Sequence, residues 1–223
     1  MGYHQLSDGR FVANYPYFKK IYDKDSMLFV NMLENYTKYS KETETAKEFY
    51  NRVLCCLNYF TDKENKFGAI EEDNIISLEK NLCYIKMLES IKELADVLKQ
   101  KETKAVLNKK IKKLKKYLKK EFFNKDIKVF SSEIKDGEKN NIIDVDANIL
   151  MLHMLYKKGD KKTEVMMNNL TDKSIVSAEV IPLSDDKITE FVAVCKKFKM
   201  EQLIKPELEK HKGDNLILAK ALI

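Results

Sequence analysis

The sequence contains no tryptophan and is poor in glycine and proline. Of its 223 residues, six are glycine and three are proline. So few turn-forming residues disfavour a protein built from many short strands, and they favour long helices. No apolar run approaches the roughly 18 residues that a membrane-spanning helix needs. Met1–Arg10 also lacks the apolar core of a signal peptide, so we expect no membrane partner.

Cysteine is also scarce, and its four positions do not have the spacing of a metal site. The cysteines are Cys55, Cys56, Cys83 and Cys195. All four lie in otherwise apolar helical stretches, which favours buried free thiols over disulfides. We therefore expect a cytoplasmic protein without a metal site, and no cofactor is implied.

Arginine is rare in this sequence, and the net charge of +6 comes almost wholly from lysine. Arg10 and Arg52 are the only arginines. Proteins that read nucleic acids usually use arginine for bidentate contacts to phosphates and bases, so a nucleic-acid partner is disfavoured. Ten lysines lie within residues 101–120, and we interpret them as the solvated face of a helix rather than a polyanion-binding surface.

Long stretches with helical spacing of apolar residues predict an all-α protein. The predicted helices span residues 26–40, 45–60, 78–99, 104–123, 144–158, 160–170, 185–200 and 206–212. The second opens with Thr45-x-x-Glu48, the spacing of a capping box. Short links predict two helical hairpins, and we expect at most one or two short strands, at 67–70 and 127–132, with a turn at Asp136–Gly137.

Four segments resemble the (α/α)₆ six-hairpin glycosidases, and most closely the amylo-α-1,6-glucosidase domain of glycogen-debranching enzymes and their glucoamylase-like relatives. The segments are "YDKDSMLFVNMLENYTKYS", "FGAIEEDNIIS", "LEKNLCYIKMLESIKELADVLKQ" and "LKKEFFNKDIKVFSSEIKDGEKNNIIDVDANILMLHML". The resemblance covers roughly residues 10–170. It implies a partial (α/α) toroid over 1–172, followed by an extended segment and C-terminal helices over 173–223. It also implies a carbohydrate partner, an α-glucan or oligosaccharide.

The same resemblance implies a role for residues before and at the start of the first helix. Asp25 is the implied general acid of an inverting glycosidase, and Tyr22 and Asp23 are the implied substrate contacts. Such an enzyme needs a second carboxylate roughly 6.5–9.5 Å away to activate water. The alternative for Asp25 is a helix cap, in which its side chain accepts from backbone N–H groups of the first turn.

Two further helix starts carry polar residues that the resemblance places at the same cleft. Glu79 and Asn81 are the implied sugar-hydroxyl ligands. Asp144 and Asp146 are the candidates for the base. Asn148 is a candidate substrate contact beside them. For Glu79 and Asn81 the alternative is an ordinary acidic first turn of a helix. For Asp144 and Asp146 the alternative is helix capping.

The sequence also departs from a complete toroid glycosidase. A toroid needs twelve helices, and this chain supplies seven or eight. Tryptophan, which typically walls the sugar subsites of this family, is absent. A second function is therefore an alternative. In it, the chain is a non-catalytic binding or assembly protein that keeps the toroid scaffold, or it is one part of a split enzyme. The apolar stretch "LILAKALI" at 216–223 predicts packing onto the domain or contact with a protein partner or a second copy. His153 is expected to be a hydrogen-bonded core residue.

Overall fold

The computed structural model describes residues 4–12, 22–157, 160–171, 179–184, 187–208 and 210. Helices account for most of these residues, which confirms the all-α class. The α-helices are α1 Asp23–Ser40, α2 Glu44–Thr61, α3 Leu78–Val97, α4 Lys101–Glu121, α5 Val145–Leu155, α6 Lys161–Thr171, α7 Ile188–Phe198 and α8 Ile204–Leu208. A short 3₁₀ helix, Glu201–Leu203, precedes α8.

Most helix ends lie within a few residues of their predicted positions. Helix α1 begins three residues earlier than predicted, so that Asp25 is already inside its first turn. The capping box predicted at Thr45 is wrong, because α2 begins at Glu44 and its cap position is Thr43. The side chain of Thr43 makes no capping hydrogen bond.

The strands in the described residues are more numerous than predicted but each has only two or three residues. They are β1 His4–Gln5, β2 Phe11–Val12, β3 Ile75–Ser77, β4 Phe123–Asn124, β5 Val129–Phe130, β6 Glu133–Lys135, β7 Glu138–Lys139, β8 Ile142–Asp144 and β9 Glu179–Ile181. Antiparallel pairs join β1 to β2, β4 to β5 and β6 to β7, while β8 and β9 are parallel. The turn predicted at Asp136–Gly137 is confirmed, and both residues have positive φ angles.

The chain divides into two compact units, Met1–Leu118 and Lys119–Ile223. In the first unit, α1 packs against α2 and α3. Helix α3 is buried on most of its faces, as expected of an inner helix. Helix α4 instead buries one stripe, Leu107, Ile111, Leu114 and Leu118, and turns its lysines outward. Lys104 and Lys115 of that face pair with Asp96 and Glu89 of α3.

The second unit is built around α5, which packs against α6 and α7. Nearly every residue of α5 is buried, including Ile149, Met151 and Leu152. Helix α7 contributes an apolar face with Phe191 and Val194 fully or almost fully buried. This second unit thus repeats the plan of one buried helix covered by amphipathic neighbours.

Some predictions concern residues outside the described part of the chain. The apolar C-terminal stretch 216–223 lies there, and its packing stays a prediction. The expected domain boundary between residues 172 and 173 also lies there.

Candidate functional site

Asp23 begins α1 and is surrounded by charged side chains. The preceding residue, Tyr22, occupies the cap position with extended backbone and makes no side-chain capping bond. Tyr22 is 52% exposed, whereas the Asp23 side chain is only 13% exposed. The helix start therefore presents an open aromatic ring beside a largely buried carboxylate.

Four donors surround the Asp23 carboxylate. Its Oδ2 lies 2.7 Å from Lys80 Nζ and 3.4 Å from Lys63 Nζ. Its Oδ1 accepts from the Tyr59 hydroxyl at 3.0 Å and lies 3.6 Å from an Arg10 nitrogen. Asp23 is therefore held by groups from three separate segments of the chain, which contain Arg10, Tyr59 with Lys63, and Lys80.

A second carboxylate, Glu72, joins the same lysines from the opposite side. Both Lys63 and Lys80 donate hydrogen bonds to it. The Tyr59 ring lies beneath the cations, with Lys63 Nζ 4.3 Å and the Arg10 guanidinium carbon 4.8 Å from the ring centroid. We call this set the Asp23 cluster; its members are Arg10, Asp23, Tyr59, Lys63, Glu72 and Lys80.

The charges of the cluster keep both carboxylates ionised. Burial alone would raise the pKa of Asp23, but the hydrogen bond and charge of Lys80, with the charge of Lys63, outweigh it and lower that pKa. Burial would likewise raise the pKa of Glu72, but the hydrogen bonds and charges of the same two lysines outweigh burial and lower that pKa. The pKa of Lys63 is raised, because its bonds to Glu72 and Tyr59 outweigh its own burial. These groups suit binding through fixed charges and hydrogen bonds better than proton donation.

The cluster lies where two inner helices begin. Two ion pairs join the first turns of α1 and α3. One is between Asp23 and Lys80, and the other is between Lys24 and Glu79 at 2.9 Å. Because their first turns touch and the helices pack side by side, α1 and α3 run in the same direction. Their partly positive N-terminal ends therefore meet at one edge of the first unit.

Asp25 lies next to the cluster without belonging to it. It is the third residue of α1 and half-buried, and its backbone N–H donates to the Tyr22 carbonyl at 3.1 Å. The interpretation of Asp25 as the helix cap is wrong, because Tyr22 holds that position. Its carboxylate still stabilises α1 through the helix dipole, and the catalytic role stays a prediction.

Asn81 has a structural role instead of the predicted contact with sugar. It is fully buried, and its Oδ1 accepts from the Ile70 N–H at 2.8 Å. Its Nδ2 donates to the Ile70 carbonyl at 3.0 Å and to the Ser77 carbonyl at 2.9 Å. Both N–H groups of the amide are therefore used within the protein, and Asn81 is not part of the site that we propose.

Asn148 repeats this arrangement in the second unit. Its amide accepts from the Phe130 N–H at 2.8 Å and donates to the Phe130 carbonyl at 2.9 Å and the Asp144 carbonyl at 2.8 Å. Ser26 of α1 does the same with one hydroxyl, bonding to the N–H and carbonyl of Phe11. Each of these residues is the fourth of its helix and holds both backbone groups of one earlier residue. We call this bond pattern the loop clasp.

The two candidate bases are both used in hydrogen bonds of the second unit. Asp144 is the cap of α5, and its Oδ1 accepts from the Ala147 N–H at 3.1 Å. The Asp146 carboxylate accepts from the backbone N–H of Ser184 at 2.9 Å and from the Ser184 hydroxyl. The cap interpretation is therefore confirmed for Asp144, and Asp146 anchors the chain just before α7.

Two expectations about other residues need correction. His153 is exposed rather than a core residue, and its carbonyl accepts from Lys197 Nζ at 2.7 Å. The four cysteines are free thiols, but only Cys56 and Cys195 are buried. Burial raises the pKa of each of these two thiols to about 12, so neither is an activated nucleophile.

Glu34 is a carboxyl group that the sequence pattern did not single out. It lines an open pocket of about 260 Å³ between α1 and α3. Burial raises its pKa, the charge of Lys38 opposes the shift, and Glu93 adds to it. A raised carboxyl pKa is what a general acid requires. Glu34 lies eleven residues, about 16 Å, along α1 from Asp23, so it is not part of the Asp23 cluster.

Within the described residues, no cluster of histidine, cysteine and acidic side chains has the arrangement of a metal site. The helices in this part of the chain also include none that is both long and apolar enough to cross a membrane.

The fold is similar to those of two solved rhamnosidases. The GH78 family rhamnosidase of Bacillus sp. GL1 matches with a TM-score of 0.72 and 12% identity, over 90% of this chain and 22% of that one. A rhamnosidase from Klebsiella oxytoca, solved with rhamnose bound, matches with a TM-score of 0.67 and 12% identity, over 96% of this chain and 43% of that one. The chain therefore spans less than half the length of either protein. No protein-family model matches the sequence, and no curated protein matches it either.

These matches refine the resemblance seen in the sequence. GH78 rhamnosidases have the (α/α)₆ toroid, so a toroid-like fold is confirmed for this chain. The closer resemblance to debranching enzymes and glucoamylases is not supported, because both of these structures are rhamnosidases.

Proposed function

We propose that this is a glycosidase-related protein that binds an oligosaccharide at the edge where α1 and α3 begin. One observation carries the proposal. In a toroid-glycosidase fold, the first turns of two parallel inner helices bring together the Asp23 cluster, which is dense in groups that hydrogen-bond to hydroxyls. The likeness to rhamnosidases supports this proposal at the level of fold.

The chemistry of the cluster suits a hydroxyl-rich ligand. Ionised Asp23 and Glu72 accept hydrogen bonds from sugar hydroxyls, while lysine ammonium groups donate to sugar oxygens. The exposed Tyr22 ring at the start of α1 offers a face for sugar C–H bonds, which tyrosine can supply where tryptophan is absent. Tyr22 and Asp23 are thus the proposed substrate contacts, and Glu79 lies at the rim of the proposed site.

Hydrolysis is the finer form of the proposal. Asp25 is the proposed general acid within the first unit. The substrate is an α-glucan or, by analogy with the two rhamnosidases, a rhamnoside.

A specific observation favours a second candidate function, binding without hydrolysis. The carboxylates of Asp144 and Asp146 serve as a cap and an anchor, and those of Asp23 and Glu72 have lowered pKa values. A general acid has to be protonated near the working pH, so these groups fit a binding surface better than an inverting active site.

Titration of sugars into Tyr22→Ala tests the binding proposal. We expect the wild-type protein to bind maltooligosaccharides or rhamnosides, and the substitution to weaken binding roughly tenfold, or about 1.4 kcal/mol. Tyr39→Ala is the matched control, because Tyr39 is an exposed tyrosine at the other end of α1, 79% exposed. Isothermal titration calorimetry measures both. Equal effects of the two substitutions, or no binding by the wild type, would contradict the proposal.

Product analysis with the same sugars separates hydrolysis from binding. If the wild type releases sugar, Asp25→Asn should abolish release and leave the melting temperature unchanged, since an amide cannot deliver a proton. Full activity in Asp25→Asn would show that Asp25 is not the acid. Sugar binding without any released product would establish the second candidate function.

A further inference from the structure

The link between α2 and α3 contains a tight turn with an exposed aromatic side chain at its tip. The backbone N–H of Asn65 donates to the Ala69 carbonyl and that of Gly68 donates to the Asn65 carbonyl, both at 2.9 Å. Asn65 Oδ1 also accepts from the N–H groups of Phe67 at 2.9 Å and Ala69 at 3.2 Å. Phe67 is nevertheless 40% exposed. The turn therefore holds a large apolar side chain in a fixed position at the protein surface.

Phe67 lies against Tyr117 of α4. Their rings are stacked, with centroids 4.8 Å apart and planes 16° from parallel. Lys113, one turn before Tyr117 on α4, holds the same turn by donating from Nζ to the Lys66 carbonyl at 2.7 Å. Lys66 Nζ lies 5.1 Å from the centroid of the Phe67 ring. The turn is thus attached to α4 at two points, and we call Phe67 and Tyr117 the aromatic pair.

Lysines without carboxylate partners lie beside the aromatic pair. Residues 103–118 of α4 include seven lysines and no acidic residue. Three of the seven form ion pairs with carboxylates of neighbouring segments. Within the described part of the chain, no ion pair is formed by the other four, which are exposed and are Lys109, Lys112, Lys113 and Lys116. Lys113 and Lys116 lie within one helical turn of Tyr117, so the rings border a surface with uncompensated positive charge.

The aromatic pair lies near the Asp23 cluster, because both involve the link between α2 and α3. Lys63 and Glu72 of the cluster belong to this link, and Phe67 lies between them in the sequence. Phe67 is four residues after Lys63, so the Cα atoms of these two residues are at most about 14 Å apart. Both features belong to the first unit. A ligand of several sugar units is long enough to contact the cluster and the Phe67 ring together.

We propose that the sugar ligand of the first unit is an acidic polysaccharide, which extends from the Asp23 cluster across Phe67 and places its acid groups on the exposed lysines of α4. This proposal rests on the proposed function, since it names the class of oligosaccharide bound there. The face of an aromatic ring carries partial negative charge and attracts the weakly positive C–H groups of a sugar. The exposed contact between Lys66 and this ring is weak, so a sugar can displace it. The neighbouring ammonium groups attract carboxylate or sulfate groups along the polysaccharide.

A single-stranded nucleic acid has related chemistry, since its bases stack on aromatic rings and its phosphates bind lysine. Two observations favour the polysaccharide. The charged surface consists of lysine alone, and neither of the two arginines of the sequence lies in α4, although arginine is the usual residue for phosphate and base contacts. The aromatic pair also lies on the same link as part of the proposed sugar site.

Calorimetric titration of the full-length chain at low salt tests the proposal with four probes of matched length: oligogalacturonate, sulfated maltooligosaccharide, neutral maltooligosaccharide and oligothymidylate. We expect at least one of the two acidic sugars to bind at least tenfold more tightly than the neutral one. Comparison of the two acidic sugars distinguishes carboxylate from sulfate groups. Equal binding of the neutral sugar, or tighter binding of oligothymidylate than of both acidic sugars, would overturn the proposal.

Variants then locate the acidic ligand. Phe67→Ala and the double variant Lys109→Gln/Lys116→Gln should each weaken its binding at least fivefold. The double variant Lys99→Gln/Lys101→Gln is the matched control, because it removes the same charge from exposed lysines at the other end of α4. Lys101 lies eight residues, about 12 Å, before Lys109. Full affinity in Phe67→Ala or in the Lys109 and Lys116 variant, or an equal loss in the control, would overturn the assignment.

Tyr22→Ala separates this proposal from the proposed function. If neutral and acidic sugars bind equally and Tyr22→Ala weakens both, the proposed function holds and the acidic ligand is excluded. If acidic sugars depend on Phe67 but not on Tyr22, the extension to the Asp23 cluster is overturned. If none of the sugars binds, both proposals fail.

Discussion

At the scale of single residues, Asp23 depends most on its surroundings. Its carboxylate is largely buried, and it remains ionised because Lys80, Lys63 and Tyr59 all contact it. Removing one partner from such a network leaves other charges poorly compensated. The network therefore stabilises the first unit and also fixes the orientation of the groups proposed to contact sugar.

The lowered pKa of Asp23 predicts a pH-dependent contribution to stability. A carboxylate with a lowered folded-state pKa stabilises the protein above its ordinary pKa of 3.8, and that stability is lost as the pH falls through the folded value. Asp23→Asn should cost about 2 kcal/mol at neutral pH. It should also flatten the loss of stability below about pH 4, as measured by urea unfolding across a pH series.

Asp126→Asn is the matched control for this experiment, since Asp126 is an exposed aspartate in the second unit. We expect its unfolding curves to follow those of the wild type at each pH. Should Asp23→Asn show the same acid sensitivity as the wild type, the Asp23 carboxylate is not held by its neighbours as the structure indicates.

The cluster shows what a sequence pattern can and cannot predict about single residues. The sequence singled out Asp23 because it lies at the start of an amphipathic helix. It did not identify Arg10, Tyr59, Lys63 or Glu72, because these partners lie in separate segments and meet only through tertiary packing. The sequence did offer an indication for Lys80, since this residue lies in the first turn of α3, where polar residues at the cleft were expected.

At the scale of elements, the loop clasp is the repeated feature. Ser26, Asn81 and Asn148 are each the fourth residue of a helix and bond both backbone groups of one earlier residue. In this way α1, α3 and α5 each fix an earlier segment of the chain beside their first turn, namely β2, the residues around Ile70, and β5. Buried backbone groups need such partners, because otherwise they lose hydrogen bonds to water without replacement.

Removing the loop clasp at Asn81 should destabilise the protein strongly. Asn81→Ala removes the partners of the Ile70 N–H and carbonyl and of the Ser77 carbonyl, and we expect a loss of about 3 kcal/mol. Urea unfolding measures it. Asn58→Ala, at an exposed position of α2, should be neutral or slightly stabilising. Equal stability of the two variants would show that the clasp contributes nothing.

The sequence predicted the position of the clasp asparagines but not their role. Asn81 and Asn148 were recognised as polar residues at the start of inner helices, where a sugar ligand was expected. An amide bonds equally well to a sugar hydroxyl and to a peptide group, so the choice depends on whether a loop lies within reach. The helices themselves were predictable, since Leu82, Ile85 and Leu88 repeat at helical spacing and are fully buried.

At the scale of the whole molecule, the chain has a fold similar to those of two rhamnosidases but is shorter than either. It covers 22% of one and 43% of the other. The lack of tryptophan, known from the sequence, agrees with a site that relies on charges and tyrosine. Fold class was predictable because helical periodicity extends over most of the chain. The rhamnosidase likeness was not, because at 12% identity few residues are shared.

The most direct test of the central claim is hydrogen–deuterium exchange with and without the sugar that binds best. If the oligosaccharide binds where α1 and α3 begin, protection should appear in peptides covering 22–27, 59–64 and 70–81, which carry Tyr22 and most of the Asp23 cluster. Peptides covering 43–51 and 97–100, from the start of α2 and the end of α3, should exchange at the same rate in both states. Protection confined to other segments, with no change at the start of α1 and α3, would contradict the proposed function.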